Sequence, residues 1–135
     1  MDAALFTVEQ RKAVPHAFVL DAIADLSPVT RPMFGCLAVY IEEKIVIIMR
    51  DKCEGAPDNG VWLATTEEHH EGLRREFPSM RSIQALGKEV TGWQVLAVDG
   101  PDFERDALRV CELILAKDPR IGKVPKRRAK TRSKP

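Results

Sequence analysis

The chain has 135 residues, of which 44% are hydrophobic and 30% charged. That is the make-up of one globular domain, and it excludes a wholly disordered chain and a disulfide scaffold. The net charge of +1 hides a division: residues 120–135 hold 8 of the 21 basic residues and no acid, so residues 1–119 carry 13 basic and 20 acidic residues, a net of −7.

Residues 1–13 lack a convincing pattern and are expected to form a loose N-terminal arm. Pro15 suits the first turn of a helix, where a missing N–H costs nothing. Phe18, Val19, Ala22, Ile23 and Leu26 then form an amphipathic stripe. Ser27-Pro28 ends it. Three strands follow. Val29–Gly35 contains Pro32, which confines it to an edge or a bulge. Leu37–Glu42 alternates, and Ile45–Arg50 is rich in β-branched residues. Their close spacing requires antiparallel hairpins, because a parallel crossover needs a dozen or more residues. Asp51–Gly60 carries turn signals. Val61–Ala64 is a short strand, and Thr65 with Glu68 has the capping-box spacing for a helix to Phe77. Arg81–Leu86 and Trp93–Val98 are strand candidates. After Gly100-Pro101, the positions Phe103, Ala107, Val110, Cys111 and Ile114 mark one face of a last helix ending near Lys117.

The order is helix, three to four strands, helix, two strands, helix. It predicts a single α+β domain over 14–119, an antiparallel sheet of about five strands with helices packed on one face. Residues 120–135 form a basic tail, predicted to be disordered because like charges fill it and apolar residues are scarce.

Arg31-Pro32-Met33-Phe34-Gly35, followed by an aliphatic strand ending in Tyr40, a tight turn and another aliphatic strand, resembles the N-terminal domain of TfoX-type competence regulators. Leu73-Arg74-Arg75-Glu76-Phe77-Pro78, Gly92-Trp93 and the helix after Asp99-Gly100-Pro101-Asp102 are similar to the related YjbR-type small proteins. The resemblance covers residues 14–117. It implies one small α+β fold with helices over one sheet face and a non-enzymatic binding or regulatory role, and it supplies no catalytic residue.

No phosphate loop, nucleophile elbow or zinc-protease motif is present in the sequence. No cofactor and no metal are expected. His69 and His70 are adjacent, so on a helix they diverge by about 100°; only His70 with Glu67 has ligand spacing, and a solvated helix face is the expectation. An odd count of cysteines without paired spacing builds neither a disulfide framework nor a zinc site. Cys111 is expected to be a buried, inert thiol, and Cys53 to lie in a loop. Met1–Thr7 lacks a signal-peptide pattern, and the longest apolar run is Ile45–Met49. A cytoplasmic protein without membrane contact is therefore expected.

Two sets of residues are candidates for binding. Arg120, Lys123, Lys126, Arg127, Arg128, Lys130, Arg132 and Lys134 form a sequence-independent phosphate clamp for nucleic acid, or a contact for an acidic partner. No aromatic accompanies them, so base stacking is not expected. Arg31, Arg50 and Trp62, with Lys52, are the candidates for an anion or small ligand on the sheet near the 51–60 loop, in a binder or an enzyme. Sheet edges and an uncovered sheet face leave a homodimer as a further candidate.

Overall fold

Alternation in one strand and a β-branched run in the next build the centre of a sheet, and amphipathic helices close over it. The computed structural model describes residues 14–33, 35–53, 56–84 and 92–124. In chain order the elements are α1 (Ala17–Ala22), a 3-10 turn (Ala24–Leu26), β1 (Val29–Met33), β2 (Cys36–Ile41), β3 (Lys44–Arg50) and β4 (Gly60–Leu63). A second 3-10 turn (Glu67–His69), α2 (His70–Glu76), β5 (Arg81–Ser82), β6 (Gln94–Ala97) and α3 (Phe103–Leu115) follow.

The six strands lie in the order β1-β2-β3-β4-β6-β5, every pair antiparallel. The fold is α+β, as the patterning predicts, with one strand more than the five expected. Each of the six spans read as strands or strand candidates contributes one, and β5, only two residues long, lies at one edge. β1, with Pro32, is the other edge, where a residue without an N–H is tolerated.

The helices pack on one face. Val39, Ile47, Met49, Val61, Leu63 and Leu96 from the sheet meet Val19 and Ile23 of α1, Leu73 of α2, Phe77 after it, and the buried stripe of α3. Phe103, Ala107, Val110, Cys111 and Ile114 are all buried, as their spacing predicts. A register shift between Val39 and Tyr40 leaves Val46 as an extra residue in β3. Val46 and Ile47 therefore both join the helix-side core, as a β-bulge allows. The opposite face forms a second cluster of Cys36, Ala38, Ile45, Ile48, Trp62, Ala64, Ile83 and Val95, flanked by Met33, Tyr40 and Trp93.

Local expectations fail at the helix starts. α1 begins after His16, which takes φ 55, so Pro15 stands outside its first turn. The helical stripe also breaks after Ala22 into the 3-10 turn, which closes at Ser27 with φ 54. The capping box at Thr65 does not form. Thr66 is the cap of the 3-10 turn and makes no side-chain cap bond, and among the described residues Thr65 Oγ1 is buried without a hydrogen-bond partner. The 3-10 turn displaces the first α-helical residue to His70, which separates the two halves of the motif. The strand expected over 81–86 ends at Ser82, and part of that span lies outside the described residues.

Candidate functional site

The basic stretch begins inside the fold. α3 ends at Leu115 and Ala116, and the chain turns through Lys117 with φ 59. Lys117 N donates to Ile114 O at 2.9 Å and Asp118 N donates to Leu113 O at 3.0 Å, which together make a Schellman stop. Asp118 Oδ1 then accepts from the Arg120 backbone N–H at 2.9 Å and from its Nε at 3.0 Å. Arg120 Nη2 reaches Asp118 Oδ2 and Glu76 Oε1, both at 3.0 Å. Arg109 Nε joins Glu76 at 2.9 Å and its Nη1 joins Glu112 at 2.8 Å.

This network shifts its members as opposite charges should. The hydrogen bonds from Arg120 hold the Asp118 carboxyl below its ordinary value, against a burial that acts the other way. Burial raises Glu76, but the hydrogen bonds and charges of Arg120 and Arg109 outweigh it and leave the carboxyl lowered. The hydrogen bond to Asp118 is the largest cause that raises Arg120. Arg120, named among the nucleic-acid contacts, is thus also a structural cation that ties the segment after α3 to α2. Its Nε and Nη2 donors are spent on these two carboxylates, which fixes the side chain at the root of the basic stretch.

Past Arg120 the chain lies along the sheet. Gly122 N donates to Ala64 O at 2.7 Å. Lys123 and Ile45 exchange both backbone bonds, at 2.9 and 3.0 Å, in an antiparallel bridge. The beginning of the predicted disordered tail, through Lys123, is therefore docked. Lys126, Arg127, Arg128, Lys130, Arg132 and Lys134 lie outside the described residues, as does the arm at 1–13.

The sheet-face candidates occupy the second face, where Arg50 and Trp62 come together and Arg31 stands apart. One row of register partners runs Arg31, Ala38, Ile48, Trp62, Val95, Arg81 across the sheet. Arg31 is exposed at the β1 edge and lies over the Tyr40 ring at 5.5 Å. Arg50 is two residues along β3 from that row. With about 4.8 Å between strands and 3.3 Å per residue, the backbones of Arg31 and Arg50 are about 12 Å apart. Arg50 stacks over Trp62 at 5.9 Å and donates to Pro57 O at 3.1 Å and to Cys36 Sγ at 3.8 Å. Trp62 is 2% exposed, donates to Asp58 O at 2.9 Å and meets Trp93 edge-on at 6.1 Å. Lys52 is exposed, and its ammonium lies against Gly35, in the space a side chain there would fill.

Beside this face, Asp58 is a buried carboxylate that sequence reasoning missed. It accepts from Arg81 Nη1 at 2.7 Å and from Gln84 N at 2.7 Å. A cavity of 380 Å³ opens here, lined by Pro57, Asp58, Asn59, Arg81, Val98 and Asp99 among others. Asn59 is committed to the 51–60 loop: its Oδ1 accepts from Lys52 N at 2.9 Å and its Nδ2 donates to Cys53 O at 3.2 Å.

His70 is buried, not solvated. Its Nε2 donates to Gly92 O at 3.1 Å, which leaves Nδ1 to accept from Gln94 Nε2 at 3.4 Å. Gln94 is 0% exposed; its Oε1 accepts from Arg74 Nε at 3.0 Å and its Nε2 donates to Ser82 Oγ at 2.9 Å. Arg74 can only donate, which fixes the orientation of the amide. This polar knot joins α2 to β5 and β6. Among the described residues no group of three or more His, Cys, Asp or Glu side chains is placed to hold a metal ion. The three cysteines are free thiols; Cys36 and Cys111 are buried and Cys53 is exposed. Burial pushes Cys111 up to about 11, and its Sγ donates to Val19 O at 3.6 Å.

No family model, curated protein or solved structure matches the chain. Among the described residues no helix is long and apolar enough to cross a membrane.

Proposed function

We propose that this protein is a small, non-enzymatic, cytoplasmic binding module that contacts nucleic-acid phosphates through its basic C-terminal stretch. The observation that carries this is the division of labour along that stretch. Arg120 is held by Asp118 and Glu76, and Lys123 is held at a backbone bridge to β3. Beyond Val124 the sequence holds six further cations and no acid. They depart from a fixed point on a body whose own charge is negative. Those six groups have a shared chemistry, which is release of counterions from a polyanion without selection of a base. The resemblance of Arg31–Tyr40 to the TfoX-type N-terminal domain adds the class, a binding or regulatory domain.

The alternative, a small-molecule site on the sheet near the 51–60 loop, has less behind it. Of its named residues, Arg50 and Trp62 stack on each other and Arg31 stands apart, and all three are engaged, with Tyr40, Pro57, Cys36 and Asp58 among their partners. A cavity does lie beside the loop, but Asp58 there is already held by Arg81 and Gln84.

The test is a fluorescence-anisotropy titration of a labelled DNA duplex with the full chain and with a variant carrying Gln at 126, 127, 128, 130, 132 and 134. Binding in low salt by the full chain, and its loss in the variant, is the expected result. Equal binding by both overturns the proposal. A poly-glutamate chain that displaces the duplex at equal charge concentration moves the assignment to an acidic protein partner.

A further inference from the structure

A second cavity lies at the opposite end of α3 from the Asp58 pocket, between the β2–β3 turn and the segment that follows the helix. Its volume is 150 Å³. Its floor is aliphatic: Leu26, Ile41, Val46, Ile114 and Ile121. The bulge in β3 is what brings Val46 to this side. The mouth carries Glu42, Lys44 and Lys117, all exposed, together with Asp118.

The charges at this mouth are of two kinds. Asp118 is saturated by Arg120. Glu42, Lys44 and Lys117 make no ion pair among the described residues. Two cations and one anion without an ion pair among the described residues therefore surround an apolar hole. The aliphatic stem of Lys44 runs over Gly122, with its Cδ 3.3 Å from where a Cβ would stand, so the docked segment steers this side chain along the mouth.

The backbone adds a second, independent observation. Glu42 has φ 57 and Lys117 has φ 59. Lys117 occupies the left-handed position of a Schellman stop, where glycine is the residue without a Cβ penalty. A hairpin turn position such as that of Glu42 likewise favours glycine, asparagine or aspartate. Both positions instead carry long charged side chains, and both side chains belong to this one mouth.

From these features we infer that the cavity is a binding site for a small aliphatic carboxylate. The chain of the ligand fills the aliphatic floor, and a hole of this volume matches an apolar group of about six heavy atoms. Its carboxylate sits between Lys44 and Lys117. Glu42 is placed for a cationic group on the same ligand, so an aliphatic α-amino acid and a plain aliphatic acid are the two sources of this chemistry. The site is independent of the nucleic-acid proposal, because it uses none of the six cations beyond Val124.

The experiment is an NMR titration of the isoleucine methyls of the full chain with 4-methylpentanoate, with leucine and with 4-methylpentanol. The acid or the amino acid should move the methyls of Ile41, Ile114 and Ile121 saturably, with a Kd of about 1 mM or tighter for so few heavy atoms. Leucine binding tighter than the plain acid assigns its ammonium to Glu42; the reverse order assigns the plain acid. Lys117→Gly removes the ammonium and relieves the left-handed backbone, so it should keep or raise Tm while weakening binding at least five-fold. Lys44→Gln should weaken it similarly. The inference is overturned by the absence of saturable shifts at about 10 mM ligand, by the alcohol binding as tightly as the acid, or by full affinity in Lys117→Gly.

Discussion

Arg120, after α3, and Arg50, the last residue of β3, are both partly buried arginines, yet they are held in opposite ways. Arg120 is locked between two carboxylates, Asp118 and Glu76, at the root of the basic stretch. Arg50 lies over the Trp62 ring and donates to a carbonyl and a sulfur, with no carboxylate among its described partners. Arg31 on Tyr40 repeats the second arrangement at the sheet edge. A cation's type says little about its work. What decides it is whether the fold supplies a full negative charge, a polarisable ring, or nothing.

The comparison can be broken by removing the arginines in turn, with chemical denaturation as the measurement. Arg81→Ala should cost most, about 3 kcal/mol, because it strips the guanidinium from a carboxylate with no exposed surface. Equal stability would mean that Asp58 is satisfied without it. Arg120→Ala comes next, at about 2 kcal/mol, from charge-assisted bonds in a partly solvated network. It should also free the Gly122 and Lys123 amides to exchange with solvent. Arg50→Ala should cost about 1 kcal/mol and Arg31→Ala less than that, as expected for ring-stacked cations near solvent. If Arg31→Ala proves as costly as Arg120→Ala, the distinction between the two arrangements fails.

Acid sharpens the same contrast. Asp118 and Glu76 have carboxyls lowered from ordinary values of 3.8 and 4.5. A lowered carboxyl contributes stability that is present above its unfolded value and is lost as pH falls through its folded one. Protection of the Gly122 and Lys123 amides should therefore be full at neutral pH and decline below about pH 4. The ring-stacked arginines have no such partner, and the Arg50–Trp62 contact should survive that range, read by tryptophan fluorescence. The smallest effect concerns thiols. At pH 8 a thiol reagent should modify exposed Cys53 in the native protein, while Cys111, buried and pushed up to about 11, waits for unfolding.

Local periodicity carried much of the fold. The face of α3, the alternation of β2 and the edge position of a strand holding Pro32 all follow from spacing and backbone chemistry. The missed features are those that depend on distant partners. His70 reads as a solvated helical histidine until Gly92 O and Gln94 are placed beside it. Arg120 reads as tail until Glu76, 44 residues earlier, is brought to it. One local signal for its capture was present, the aspartate two residues before it that accepts its backbone N–H in an Asx-type turn. Asp58 carried no such signal, since its partner Arg81 comes from the far edge strand.

The proposed function assigns phosphate binding to the six cations beyond Val124 and not to the docked root. The direct measurement is the slope of log K against log salt for a DNA duplex. The full chain should give a slope of about −5, from six phosphate contacts at roughly −0.9 each. Arg120→Ala should leave that slope unchanged, and the six-glutamine variant should bring it close to zero. A slope that survives in the six-glutamine variant, or collapses in Arg120→Ala, contradicts the account.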